Sequence, residues 1–295
     1  MQPQKIFKEQ YPLLLQQISS LPKSMDLLGV LPSNDYKFLC IIGSRRHSRY
    51  GENVCRKLIS GLRGRKIAIV SGLAIGIDSI SHSVAIETGL ITVAFPGSGL
   101  SPKVLYPASK RHLAQKIITS GGALISPFEY EQMGCSWTFP VRNRLMAGMS
   151  HATLVIEGKK GSGTLLTADY AAGFSRDVLA VPGSIFSELS YGPHMLIERG
   201  AIPITNSSDI LRALGFAIHS GKNKTRAETQ SLFELSLSPE EKNIIDLLKI
   251  EDLTASAIID KLSISSSQFN IVISNLELKG IITEDEGAYR INVLS

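Results

Sequence analysis

The residues of this chain whose types and spacing could do chemistry are arginines and lysines set beside glycine turns. Gly158-Lys159-Lys160-Gly161-Ser162-Gly163-Thr164 follows a short apolar run and opens a helical pattern. A turn of this kind aims free backbone N–H groups and the positive end of a helix dipole at one point, a seat for an anion and above all for phosphate. Arg142 and Arg144 lie upstream, and Arg45 with Arg46 follows Gly43-Ser44. Two more apolar runs end in Ser71-Gly72 and Gly97-Ser98, so four Gly/Ser turns fall at equivalent strand ends. Trp137 and Phe139 precede Arg142-Asn143-Arg144. Aromatics interleaved with arginines suit a single-stranded polynucleotide: stacking contributes about 1–3 kcal/mol per base while cations hold the backbone.

Other chemistries lose their supports. Gly158 to Gly163 has P-loop spacing, but Thr164 stands where that loop needs Lys. The full GxGxxG fingerprint, GxSxG and a metal-spaced histidine cluster do not occur. Asp78 and Glu157 stand at strand-end turns and read as a helix cap and a turn contact; His82 reads as a packed residue. A phosphoribohydrolase, the competing enzymatic reading, needs a PGGxGTxxE-like turn, which neither Pro96-Gly97-Ser98-Gly99 nor Pro182-Gly183-Ser184 supplies. Cys40, Cys55 and Cys135 are widely spaced without CxxC and read as reduced thiols. No cofactor and no metal are expected. The start, MQPQKIFKEQYP, lacks the apolar core of a secretory signal, and no 18-residue apolar run occurs, so a cytoplasmic protein with no membrane contact is expected.

These turns need elements to hold them. From Lys37 the pattern alternates short Val/Ile/Leu-rich runs with helical stripes such as Val54, Leu58 and Leu62. The expected fold class is α/β, an extended Rossmann-like, doubly wound, mostly parallel sheet with ligands beyond the carboxyl ends of the strands. Residues 1–36 are expected to form a helical arm, 37–216 the core, 217–237 a polar linker, and 238–295 a small winged helix-turn-helix domain of three helices and a hairpin. Charge separates along the chain. Residues 239–295 carry ten acidic and five basic groups, leaving 26 basic and 16 acidic groups in residues 1–238. A polyanion belongs on the basic part. The acidic C-terminal domain is expected to contact protein, or a second subunit, rather than duplex DNA, whose phosphates need Lys and Arg.

IIGSRRHSRYG (41–51), SGLAIGIDSISH (71–82), FPVRNRLMAGMS (139–150), VIEGKKGSGTLLTA (155–168) and VLAVPGS (178–184) together resemble the DprA/Smf family, DNA-processing proteins of bacterial natural transformation. The resemblance covers about residues 37–214 in order. It implies a Rossmann-type core without catalysis that binds single-stranded DNA, self-associates as a homodimer and loads RecA recombinase. By motif match, Gly43, Ser44 and Arg45 would hold phosphate, Ser162, Gly163 and Thr164 would line the same pocket, and Arg142 and Arg144 would flank the DNA track. The sequence departs from the family pattern at Ser126-Pro127, where a Ser-Glu is usual, and at Ser81-His82, where an Ala-His is usual; the N-terminal helical DNA-binding domain that some members carry is not expected.

Overall fold

The computed structural model describes residues 2–217, 238–248, 251–278, 281–285 and 287–291, in two compact units that divide after Ile218. The expected linker, apart from Ala217, lies outside the described residues, as does Lys279.

The first unit is built on a nine-stranded sheet of order β1-β2-β6-β5-β4-β3-β7-β8-β9. Its parallel strands are β3 (Lys37–Ile42), β4 (Ile67–Ser71), β5 (Ile91–Ala94), β6 (Ala123–Ser126), β7 (Ala152–Val155), β8 (Asp177–Ala180) and β9 (Ile202–Pro203). The central strands are buried on both faces, so their apolar residues run on instead of alternating. Helices cover the faces: α2 (Arg49–Ser60), α3 (Ile77–Glu87), α4 (Arg111–Thr119), α5 (Thr138–Met149), α6 (Gly163–Gly173), α7 (Tyr191–Glu198) and α8 (Ser207–Ala213). One core cluster gathers Phe38, Val70, Phe95, Leu145 and Met149, another Leu39, Ile41, Leu58, Ile69 and Leu154.

Chain order fixes where the two halves part. From β3 the chain steps through β4, β5 and β6 to one side, then returns to lay β7 against the other edge of β3, with Cys40 opposite Thr153. The switch point between the ends of β3 and β7 therefore marks the crevice where ligands sit in such sheets.

The first 36 residues correct an expectation. They hold one turn of helix, α1 (Leu13–Gln16), but chiefly two strands, β1 (Gln4–Phe7) and β2 (Ser24–Gly29). β2 runs antiparallel to β6, placing Asp26 opposite Ser126, and β1 pairs with β2. The physical reason is the free edge of β6, whose N–H and C=O groups need partners. Ile6, Met25 and Leu27 are buried as they cover it.

The second unit contains α9 (Pro239–Leu248), β10 (Leu253–Thr254), α10 (Ala255–Leu262), α11 (Ser266–Leu278), β11 (Ile282–Asp285) and β12 (Ala288–Ile291). Three helices and a terminal hairpin stand in the expected order, and β10 adds a third strand to give sheet order β10-β12-β11. Thr254 caps α10 by accepting from the Ala257 N–H at 3.4 Å. Ile244, Ile258, Phe269, Ile273 and Leu276 form its core. Among the described residues, no helix of either unit is long and apolar enough to cross a membrane.

Candidate functional site

Arg45 marks the β3 side of the crevice. It follows Gly43 and Ser44 at the end of β3, is exposed, and lies over the Phe139 ring at 5.3 Å from the centroid. The Ser44 hydroxyl accepts from the Arg46 N–H at 3.1 Å, curling the loop so that Arg46 is also exposed. Gly76, at φ +86°, lets the chain pass against the Ser44 carbonyl and the Arg45 backbone, where a Cβ would collide. Phe139, in the first turn of α5, is half-buried; its ring sits against Gly97, which leaves no room for a side chain there.

Across the crevice, β7 runs into Glu157 and the turn 158–162, then α6. Ser162 is the N-cap residue of α6, yet its hydroxyl caps nothing and is buried without a hydrogen-bond partner. A helix N-terminus left uncapped beside an unsatisfied hydroxyl is prepared for an acceptor from outside the chain. Gly163 is exposed, Thr164 is buried beneath it, and Lys159 and Lys160 are exposed. Lys159 pairs with Glu188 at 2.6 Å, and Lys160 lies 5.8 Å from the Tyr191 ring centroid. This side of the crevice thus carries the glycine turn with its two lysines and the start of α6, and Arg45 and Arg46 stand on the other.

Other expected contacts are corrected. Arg142 does not flank an open track: it is 4% exposed, donates to the Gly72 carbonyl, and gives a second hydrogen bond to the Phe95 carbonyl at 2.6 Å. Asp78 receives the Gly72 N–H at 3.2 Å, so the two charged residues clasp Gly72 from its two backbone groups. Burial pushes the Asp78 carboxyl up, against the opposing pull of Arg142, and pushes the Arg142 guanidinium down. Arg144 faces away, donating to the Ser19 and Ser20 carbonyls and lying over Phe174 at 5.5 Å; it ties the N-terminal segment down. Between them, Asn143 is partly exposed.

Ser71 and Gly72 are buried, with the Ser71 hydroxyl donating to the Ile41 carbonyl at 2.6 Å. Gly97 and Ser98 are buried too. The Ser98 hydroxyl donates to the Gly99 carbonyl and accepts from the Tyr106 N–H, while the Ser98 carbonyl accepts from Ser126. The loop after β5 is roofed by residues 129–132, with the Gly99 N–H donating to the Gln132 carbonyl at 2.8 Å, while Gly72 after β4 is covered by Arg142 and Asp78. Trp137 is 55% exposed and packs edge-on against Phe128 at 5.5 Å.

The acids and histidine near the rim are engaged. Glu157 is buried and accepts from both the N–H (3.0 Å) and the hydroxyl of Ser48, the N-cap residue of α2. His82 is fully buried, its Nδ1 2.6 Å from the Thr92 hydroxyl, and burial drives its ionisation down to about 3, so the ring is neutral. Cys40 and Cys55 are buried, and burial raises both thiols, Cys55 to about 12. Sequence reasoning missed Tyr106 as a site residue; its half-exposed ring packs at 5.6 Å against Phe139, the ring that Arg45 also lies over, and only the fold brings it there.

A family model described as DNA recombination-mediator protein A matches residues 4–215. The chain belongs to that family. Protein Smf of Escherichia coli (strain K12) is 37% identical over 211 residues, 72% of this chain. That match covers 56% of the relative, so the chain spans little more than half of its length. DNA processing protein DprA of Streptococcus pneumoniae is 36% identical over 211 residues, 72% of this chain and 73% of the relative. The X-ray structure of DNA processing protein A from Streptococcus pneumoniae superposes with a TM-score of 0.67 at 34% identity, covering 74% of this chain and 75% of that one. DNA processing protein A of Helicobacter pylori shares the fold at a TM-score of 0.63 and 24% identity, over 72% of this chain and 98% of that one. The recombination-mediator match ends just before Phe216, so the whole crevice lies inside the family's region and the C-terminal unit outside it.

Proposed function

We propose that this chain binds single-stranded DNA at the crevice between the ends of β3 and β7 and processes it for recombination without breaking a bond. The observation that carries the reading is the pairing of two half-sites. An exposed arginine on an aromatic ring (Arg45 on Phe139) follows β3, and an uncapped helix start whose Ser162 hydroxyl lacks a partner follows the adjacent β7. One half offers a cation and a stacking surface, the other a phosphate seat, the two needs of a nucleotide chain. Lys159 and Lys160 add charge at its mouth. The nearby carboxylates argue for binding over catalysis, because Asp78 is committed to Gly72 and Glu157 to Ser48. The Helicobacter pylori protein of this fold is described by its single-stranded DNA binding mode, which agrees with the reading.

The partners proposed are those the sequence resemblance implies: a second copy of the chain, and RecA recombinase as the acceptor of the bound strand. The C-terminal unit is assigned to protein contact. The exposed face of α11 presents Ser267, Asn270, Ile271, Ser274 and Leu278, with no Lys or Arg to meet duplex phosphates. A gel-shift titration with single- and double-stranded oligonucleotides of equal length tests the main reading, beside an assay for base release from nucleoside monophosphates. Preference for the single strand with no base release is the expected result. Release of base without oligonucleotide binding would replace the reading with the phosphoribohydrolase one.

A further inference from the structure

Charge is distributed unevenly along the rim. Between Glu87 and Glu129 the sequence contains no acidic residue, yet it carries Lys103, Lys110, Arg111 and Lys116. This segment supplies the loop after β5 and all of α4. Lys103, Arg111 and Lys116 are exposed and Lys110 is partly so. Among the described residues, no carboxylate pairs with any of the four. Arg111 instead donates to the Lys103 carbonyl at 2.9 Å, drawing two cations together at the start of α4. That helix has no acid in its first turn and no side-chain cap.

The opposite direction looks different. Residues 178–198, which hold the loop after β8 and all but the final helix of that flank, include neither Lys nor Arg. Glu188 in this stretch takes Lys159 at 2.6 Å. A polyanion leaving the crevice meets no Lys or Arg within residues 178–198 on the β8 side. On the β5 side it meets four cations that form no ion pair among the described residues, with Glu129 and Glu131 the nearby acids.

A physical bridge joins the crevice to the cations. β5 lies two strands from β3, about 10 Å at the usual strand spacing. The gap is filled by the row Arg45, Phe139, Tyr106: 5.3 Å from guanidinium to ring, then 5.6 Å from ring to ring. Tyr106 is 43% exposed and stands four residues before Lys110.

We propose that the DNA strand leaves the crevice in one direction only, across Phe139 and Tyr106 onto Lys103, Lys110 and Arg111 at the start of α4. The inference rests on the single-strand reading and adds to it a track, its direction and three further phosphate contacts. Lys116, on the next turn of α4, extends the same positive field.

Fluorescence anisotropy with labelled oligothymidylates of increasing length tests this on the full chain. Four variants are compared with the parent: Arg45→Ala, Tyr106→Ala, the triple Lys103→Gln/Lys110→Gln/Arg111→Gln, and a control triple, Lys57→Gln/Arg63→Gln/Arg65→Gln. The control removes three exposed cations from the end of α2 and the turn before β4. Arg45→Ala should weaken binding at every length. The α4 triple should leave the shortest bound oligonucleotide within about two-fold of the parent and cost roughly ten-fold or more on long ones. Its salt dependence should fall by about two in slope, about 0.7 per phosphate contact on a single strand. Tyr106→Ala should weaken long oligonucleotides without changing that slope. Equal losses from the two triples would overturn the track, since general charge would then explain both. A parent-like α4 triple beside a weakened Arg45→Ala would overturn it while leaving the crevice as the binding site. A parent protein that binds no oligonucleotide would sink both readings.

Discussion

Replacing Arg142 separates a structural arginine from a DNA-contacting one. In Arg142→Met the apolar stem is kept and the guanidinium is lost, leaving the Gly72 and Phe95 carbonyls buried without their donor. Asp78 then keeps the Gly72 N–H but loses its main counter-charge, with Arg45 left as the weaker one. Hydrogen bonds to a charged group contribute about 1.5–3 kcal/mol each, and breaking a buried charge pair costs about 3–5 kcal/mol. Some of that cost is recovered, because the guanidinium Nε is itself buried without a partner. A net loss of about 4 kcal/mol is expected. At about 2–4 °C per kcal/mol for a unit of this size, the melting temperature should fall by roughly 8–16 °C. The Asp78 carboxyl, already raised by burial, should rise further. The native state then retains a proton that the unfolded chain has released, so stability should fall as pH rises from the ordinary carboxylate value to the folded one. Calorimetry between pH 4 and pH 8, with oligonucleotide binding measured well below the melting temperature, reads both effects. A variant that melts within about 2 °C of the parent yet binds single strands as poorly as Arg45→Ala would refute the assignment of Arg142 to the interior.

Other perturbations should separate just as cleanly. Arg45→Ala should melt within about 2 °C of the parent and weaken single-strand binding by roughly ten-fold, with the salt slope lowered by about 0.7; an unchanged affinity would remove Arg45 from the site. Glu188→Gln frees Lys159 from its ion pair and should tighten binding about two- to three-fold in low salt, a gain that disappears in concentrated salt. A weaker complex would show that the pair is needed to shape the turn. His82 is neutral in the native state while the unfolded chain takes up a proton below about pH 6.5, so stability should be lost as pH falls, by up to about 1.4 kcal/mol per pH unit. His82→Gln should flatten that slope without abolishing it, since burial also lowers His151, to about 4, with help from Lys37 and Arg176. Removing residues 238–295 should leave single-strand affinity within a few-fold, and loss of most of it would move the C-terminal unit into the DNA site.

The parallel core was legible because its strands are buried on both faces: Phe38–Ile42 and Ile67–Val70 read as unbroken apolar runs, and each falls within one residue of the strand it forms. The N-terminal strands were not, since Lys5, Phe7 and Gly29 interrupt the pattern and Ile6 alone of β1 is buried. Their pairing depends on an open edge about a hundred residues away in sequence. Within the site, residue type located Arg45 and Ser162, which stand at a switch point that strand order creates. It could not tell Arg142 from Arg45. Both follow the expected rim, and only the three-dimensional path puts one guanidinium under Gly72 and the other on Phe139. Ser71 and Ser98 were misplaced for a related reason: the Ser71 hydroxyl turns inward onto the Ile41 carbonyl, and residues 129–132 cover the loop that holds Ser98.

Because β2 pairs with β6, residue 26 finds its neighbour only at residue 126. During synthesis at about 5–20 residues per second, the opening segment therefore waits roughly 5–20 s for its place to exist. Through that interval Ile6, Met25 and Leu27 travel uncovered on the nascent polypeptide, and Arg144 has not yet gained the carbonyls of Ser19 and Ser20. β2 is thus made before β3, β4 and β5 but takes its place in the sheet only after β6 has been made.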